Sequence, residues 1–507
     1  MIVRGRELLV DPSIDVDAVV VGTGAGGSIA LRELARAGLR AVALEEGAFL
    51  GPRDFTQRED EMIPRLFQDM GGRMTEDLGI RILQGRGVGG STVHNTNLCK
   101  RTPDRILDRW ASEYHVSGAS PSAMAPRFAQ IESDLSVEPM PSEWQNGNNA
   151  VLRRGAAVLG WRGGPLAHNR IGCQQSGFCE LGCAYDAKQN ALKVILPEAI
   201  RAGADVYADV EATRILVTKG RVVGVAAVAR DAVGRPRSEV TVRAPVVVLA
   251  GSAIGSAALA LRSGLPDPYD QLGRGLRLHP GAVVAGRFDR AIDAAQGMPQ
   301  SYECTEWLSF ERNSDKRVWI VPAFAHPIGT AAALPGFGGA HMAAMRDYNR
   351  LAVLSAMVHD ETSGRVAVTR EGRPVIRYAM EDGDRGQLAQ GLVASARILL
   401  AAGAREVTIP GVFPVRATRE AELAKIGPSL ARPHAVPLTA VHPMGTLRMG
   451  DDPRRSVVSS QGEHHQVRGL FVADGSLFPT SIGVPPQISI YAFALHLAPG
   501  FVAAARG

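Results

Sequence analysis

Four short stretches carry most of the residues able to do chemistry. "VVVGTGAGGSIALRELARAGLRAVALEEG" sets Gly22, Gly24 and Gly27 in G-x-G-x-x-G spacing between an apolar strand and an amphipathic helix. The first glycine allows a tight turn, the second lets the backbone approach a pyrophosphate, and the third lets helix and strand pack closely. Glu45 ends the next strand, at the usual distance for a hydrogen bond to a ribose hydroxyl. Together these predict a dinucleotide site without separating FAD from NAD. "LQGRGVGGSTVHN" then spaces Gly85, Gly87, Gly89 and Gly90 ahead of Ser91, His94 and Asn95, a loop of repeated close backbone approach. A simple NAD dehydrogenase has no need of it. "AVHPMGT" places His442 before Pro443 and Gly445, turn formers suited to fixing an imidazole that accepts a proton. "SIGVPPQISIYAFA" reads as an apolar helix from Pro486 without a Ser, Thr, Asp or Asn cap. Proline at the first helical position loses no bond, but the amides of Gln487, Ile488 and Ser489 still need an acceptor outside the helix.

These stretches need elements to hold them. The first is a βαβ unit, "APVVVLAGSAIGSAALALRSG" repeats strand–Gly–helix, and "GLFVADGSLFP" supplies a further strand ending in a polar loop. The fold expected is α/β: a discontinuous, Rossmann-like parallel-sheet domain from residues 1–130, 185–285 and 431–507. "RVWIVPAF", "LAVLSAMV" and the hairpin pattern "GRVAVTREGRPVIRYAM" predict an antiparallel-sheet domain inserted over 286–430. Residues 131–184 form an excursion containing Cys173, Cys179 and Cys183. Those three lack the paired C-x-x-C units of metal sites, so structural thiols or one disulfide are expected and no metal.

At 507 residues, two or three domains are expected. A net charge of +5 with no basic run among aromatics gives no support for nucleic-acid binding. The longest apolar tract, from Ile488, is broken by Ser489, His496, Pro499 and Gly500, so no membrane span is expected. Five cysteines and no apolar leader fit a reduced cytoplasm.

The order of these motifs, with "VVVLAGSAIGSAALALRSG", "VHPMGTLRMG" and "GLFVADGSLFPTSIGVPPQ", resembles the glucose–methanol–choline (GMC) oxidoreductases along most of the chain. "CQQSGFCELGCAYDAKQ" is similar to the branch of long-chain alcohol oxidases and bacterial alcohol dehydrogenases. The resemblance implies FAD resting on the second glycine loop, with Val210 also among its contacts. It implies Asp474 near the ribityl chain, and a helix from Pro486 whose amides at Gln487 and Ile488 face the flavin. His442 matches the catalytic base. The reaction implied is oxidation of an alcohol, with a primary alcohol expected: an aliphatic or aromatic alcohol, or a sugar-like hydroxymethyl group such as the 6′-OH of an aminoglycoside intermediate. O₂, a quinone or another carrier would reoxidise the flavin. Some relatives attach FAD through a histidine at the His94 position; non-covalent binding is expected here. His279, in "LRLHPGA", reads as structural. Pro485 departs from the family, standing where many members hold the substrate oxygen with Asn or His. A lyase or a silent flavoprotein with structural FAD is the alternative.

Overall fold

The computed structural model describes residues 1–8, 11–424 and 426–507. Six parallel strands make one sheet, in spatial order Ile2–Arg4, Asp205–Ala208, Ala41–Glu45, Ala18–Val21, Val246–Leu249 and Leu470–Val472. Val19, Val20, Val247, Val248 and Leu470 are wholly buried, as continuous β-branched and apolar runs are when both faces of a parallel sheet are covered. Helices Ala25–Arg36 and Gln487–Arg506 pack on each other across it. Val210–Thr218, Arg221–Arg230 and Pro236–Arg243 form an adjoining sheet with Ser13–Asp15.

A second large sheet of nine strands runs Val415–Ala417, Glu406–Ile409, Gly281–Arg287, Leu351–Val358, Val318–Pro322, Tyr302–Cys304 and Gly163–Pro165. Leu438–Ala440 joins it beside Gly281, with Ile80–Ile82 alongside. It therefore takes strands from outside 286–430. The 20-residue helix Asp382–Ala401 covers one face, and the other is left for the site. The expected hairpin forms from Gly364–Val368 and Pro374–Arg377, turning at Gly372 with φ of 79°. It pairs with Arg274–Leu276 in a small sheet of its own rather than joining the large one.

The helix Gln487–Arg506 is long and apolar enough to cross a membrane, with mean hydropathy 1.7, but half of that stretch is buried inside the protein. Tyr491, Phe493 and Phe501 are among its enclosed side chains, the two phenylalanines each contributing about 1.5–3 kcal/mol of burial. Trp110 locks the preceding loop, packing on Phe478 and Phe493 and donating its indole N–H to Thr480 at 2.8 Å. All five cysteines are free thiols, so the disulfide alternative does not hold.

Candidate active site

Between the two large sheets lies a cavity of about 1430 Å³. Gly22 turns the chain into it with φ of 100°; a Cβ there would lie 2.4 Å from the Ala250 carbonyl oxygen. Gly26 is tighter, since a Cβ would reach within 1.4 Å of the Ala473 oxygen. The first turn of Ala25–Arg36 thus sits directly on the end of Leu470–Val472. Gly27 packs inside the turn, its added Cβ 2.0 Å from Gly22 O. Gly24 differs: it lines the cavity, and a Cβ there would meet nothing closer than Gly90 Cα at 3.8 Å. The helix beginning at Ala25 has no side-chain cap, so its first amides are placed to receive a phosphate.

Glu45 is buried at the cavity wall. Its Oε2 accepts the Thr23 N–H and hydroxyl at 3.2 and 2.7 Å, and its Oε1 accepts Gly47 and Gly87 N–H at 3.1 and 3.2 Å. The Thr23 hydroxyl accepts the Gly89 N–H at 3.0 Å. Glu45 and Thr23 therefore join the two glycine loops, and a ribose hydroxyl bound there shares the carboxylate with four protein donors. Desolvation, then the charge of Glu46, raises the Glu45 pKa to about 7.

Gly85, Gly90, Ser91, His94, Asn95 and Val210 line the same cavity, whereas Gly27, Gly89 and Ile488 do not. Ser91 Oγ accepts the Gly85 N–H at 2.9 Å. His94 packs on Phe67 with ring centroids 4.1 Å apart. Its Nε2 faces the Gly85 backbone, 2.4 Å from where a Cβ would stand. Burial, then the charge of Lys188, pulls its pKa down to about 3. Lys188 itself carries no sequence signal, yet it is enclosed and donates to the carbonyls of Val93, Asn95 and Cys179 at 3.0, 2.5 and 2.9 Å. It fixes the loop that presents His94 and Asn95. Asn95 Nδ2 donates to Gln487 Oε1, and Gln487 Nε2 to the Leu98 carbonyl, both at 2.7 Å.

The apolar helix starts at Gln487, with Pro486 at the cap position, one residue later than expected. Its first intrahelical bond runs from Ile490 N–H to Pro486 C=O at 2.9 Å. Pro485, Pro486 and Gln487 line the cavity, so a second uncapped helix start faces it. Asp474 lines it too, accepting the Ser256 and Ser476 hydroxyls at 2.5 Å each and the Ser476 N–H at 2.9 Å. Burial raises its pKa.

His442 lies where segments 274–281 and 439–446 run antiparallel. Arg277 and Met444 exchange both backbone bonds at 2.9 Å, and Gly281 pairs with Thr439. Between those rungs His279 Nδ1 stands 2.9 Å from His442 Nδ1. His279 sits at φ of 52°, a left-handed conformation costly for a side-chain-bearing residue. Asp360 holds it there, accepting the Leu278 and His279 N–H at 2.9 and 3.2 Å and the Tyr378 hydroxyl at 2.7 Å. Desolvation lowers the His442 pKa to about 3 and, with the neighbouring imidazoles, pushes His279 well below the usual range. Both shifts favour the neutral imidazole.

Two uncapped helix starts, an open glycine cradle and a buried acid face one cavity, larger than the usual roughly 300–1,000 Å³ of small-molecule sites. The set fits a flavin dinucleotide with room for a small substrate. GMC oxidoreductase N- and C-terminal domain models match residues 63–281 and 360–494.

The chain belongs to the GMC oxidoreductase family.

It is 35% identical over 98% of its length to an uncharacterized GMC-type oxidoreductase of Mycobacterium tuberculosis (strain ATCC 25618 / H37Rv), covering 77% of that protein. A long-chain-alcohol oxidase of Arabidopsis thaliana is 28% identical, over 95% of this chain and 66% of its own. Paromamine 6′-oxidase of Streptomyces fradiae is 27% identical, over 95% and 90%. Pyridoxine 4-oxidase from Mesorbium loti shares the fold, with TM-score 0.74, 19% identity and coverage of 96% and 99%. This GMC oxidoreductase is accordingly FAD-dependent. Among its described residues no group of His, Cys, Asp or Glu is disposed to hold a metal.

Proposed function

We propose that this enzyme oxidises a primary alcohol to the aldehyde, with His442 as the proton acceptor. The carrying observation is the His279–His442 contact at the wall of a cavity that also receives an uncapped helix start. Bound FAD supplies the acceptor for the hydride that leaves the carbinol carbon. The rest falls to the chain. His442 donates its Nδ1–H to His279 Nδ1, which leaves Nε2 unprotonated and able to take the hydroxyl proton. Asp360 keeps the partner ring in place. The uncapped helix start at Gln487, with the helix dipole behind it, favours negative charge at the cavity end it faces. Val283, Ala285, Val353 and Met357 line the substrate side, which favours an aliphatic or aromatic body over a bare sugar.

Pro485 supports a second reading, a flavoprotein without turnover, because proline donates no hydrogen bond to a substrate oxygen. Mixing the purified flavoprotein anaerobically with a panel of alcohols separates the two. Bleaching of the flavin is expected, and admitting air then tells an oxidase from a dehydrogenase. No bleaching by any alcohol would leave the lyase or silent-protein accounts.

A further inference from the structure

The sheet face that lines the cavity is a trough with two distinct ends. Strand register sets Gly281, Met357 and Trp319 in one row. Four residues along, Ala285 pairs with Val353, whose carbonyl accepts the Ala323 N–H at 2.8 Å, giving a second row. At the antiparallel rise the rows are ~13 Å apart. The first adjoins the His442 segment through the Gly281–Thr439 pair. The second runs into Phe324 and His326, which also line the cavity.

At that far end the loop around Gly177 closes the wall. His326 Nε2–H donates to the Gly177 carbonyl at 3.3 Å, and Phe324 meets the His326 ring edge-on at 4.5 Å. The same loop carries Glu180 into the cavity lining. Every other carboxylate lining the cavity has a donor. Glu59 accepts the Ile328 and Gly329 amides at 2.6 and 3.0 Å, Asp69 pairs with Arg73, and Glu211 with Arg230. Glu46 is bonded by Gln68 and Glu371 by Thr369, and Glu45 and Asp474 are described above. Glu180 alone has no hydrogen bond and no ion pair among the described residues. Glu180 is half-buried, and a carboxylate without a donor on a cavity wall is a ready partner for a cation bound there.

We propose that Glu180 anchors a protonated amine at the far end of a substrate whose carbinol stands at His442. The substrate class is then an amino alcohol with an apolar spacer, the spacer lying in the trough between Val283 and Val353. The proposal rests on the alcohol-oxidising reading above and narrows it.

The test compares 1-alkanols with ω-amino-1-alkanols of matched length, up to roughly ten carbons for a ~13 Å span, by anaerobic flavin reduction of the holoenzyme. The wild type should favour the best-fitting amino alcohol by about 10-fold or more in kcat/KM, carried mainly by KM, the scale of one charge-assisted bond. In Glu180→Gln that ratio should fall toward one, and Glu180→Asp should keep part of it. Calorimetric binding of n-alkylamines to the holoenzyme gives a readout without turnover, and Glu180→Gln should weaken it by a similar factor. If alcohols bleach the flavin but the amine gives no advantage, or the advantage survives Glu180→Gln, the anchor is wrong and the oxidation reading stands. If alkylamines bind through Glu180 while no alcohol bleaches the flavin, the anchor stands and the oxidation reading falls.

Discussion

The Nδ1 atoms of His279 and His442, 163 residues apart in the chain, lie 2.9 Å from each other between two backbone rungs. Two neutral imidazoles in that contact share one proton, so the protonation of one ring sets which nitrogen of the other is basic.

The pair should therefore behave as a unit. His442→Ala should retain FAD and slow flavin reduction by about 10²–10⁴-fold, the scale of a general base. His279→Ala should cost less alone and add little in the double variant, since residues acting through one another are not additive. Stopped-flow reduction of all three variants checks this. Fully multiplicative losses would mean that the contact does no chemical work.

Acid should destabilise the protein early. Burial pulls His94 and His168 down to about 3, and His359 and His464 to about 4, whereas each titrates near ~6.5 when unfolded. Between those values the unfolded chain binds more protons, so stability is full above ~6.5 and is lost as pH falls. Glu45, raised to about 7, acts in the opposite direction. His442 and His279 add to the loss, while the raised Asp360 and Asp474 side with Glu45, and each net proton taken up on unfolding is worth ~1.4 kcal/mol per pH unit. Melting temperature measured from neutral to mildly acidic pH should drop steeply. A level profile would show that these histidines are not held neutral.

Two neighbouring glycines should fail differently. Gly26→Ala puts a Cβ 1.4 Å from the Ala473 oxygen, and the protein should not fold stably. Gly24→Ala has space in the protein, with 3.8 Å to Gly90 Cα, and should fold while holding FAD weakly because the Cβ enters the cradle. Thermal denaturation and flavin retention on a desalting column separate the two. Normal FAD retention by Gly24→Ala would place the pyrophosphate elsewhere.

Pro485→Asn tests whether the substrate oxygen already has its second contact. The position precedes the helix start at Gln487, and asparagine is well tolerated ahead of a first turn, so the fold should persist. Reduction by a good alcohol should rise by less than about tenfold. A gain of two or more orders of magnitude, the scale of acid–base effects, would mean that the natural site lacks a working second group.

His94 should leave FAD unattached, because its Nε2 faces the Gly85 backbone. Acid precipitation should release the colour to the supernatant. Colour that stays in the pellet, and is freed by His94→Ala, would contradict this.

Local signals were legible and remote ones were not. Gly22, Gly24 and Gly27 could be read because turn, strand and helix lie within one short stretch. The same stretch hides Gly26, whose need for glycine comes from Ala473, and Thr23, whose partners are Glu45 and Gly89. The uncapped start at Gln487 was visible as a missing residue type, to within one position. Lys188 and the pairing of His279 with His442 left no periodic trace, since both depend on backbone carbonyls and rungs brought together only in the fold. The trough was out of reach for the same reason: it is a matter of strand register. Hairpin residues 364–377 were recognisable, but their partner strand, Arg274–Leu276, was not.

The bond between Ser256 and Asp474 spans 218 residues of chain, and this has a meaning for biosynthesis. Strand Val246–Leu249 waits through the making of most of the second sheet before Leu470–Val472 covers its open side. Until then an apolar edge of the nucleotide sheet is bare, the kind of edge that recruits strands from other chains. The cradle at Gly24 is made early, but Asp474 and the helix at Gln487 that complete its cavity come late. FAD should therefore act on folding as a final clasp rather than a nucleus. Cells short of flavin should accumulate this protein as aggregate, not as a soluble apo form, because mass action by the cofactor is missing at the step that closes the sheet.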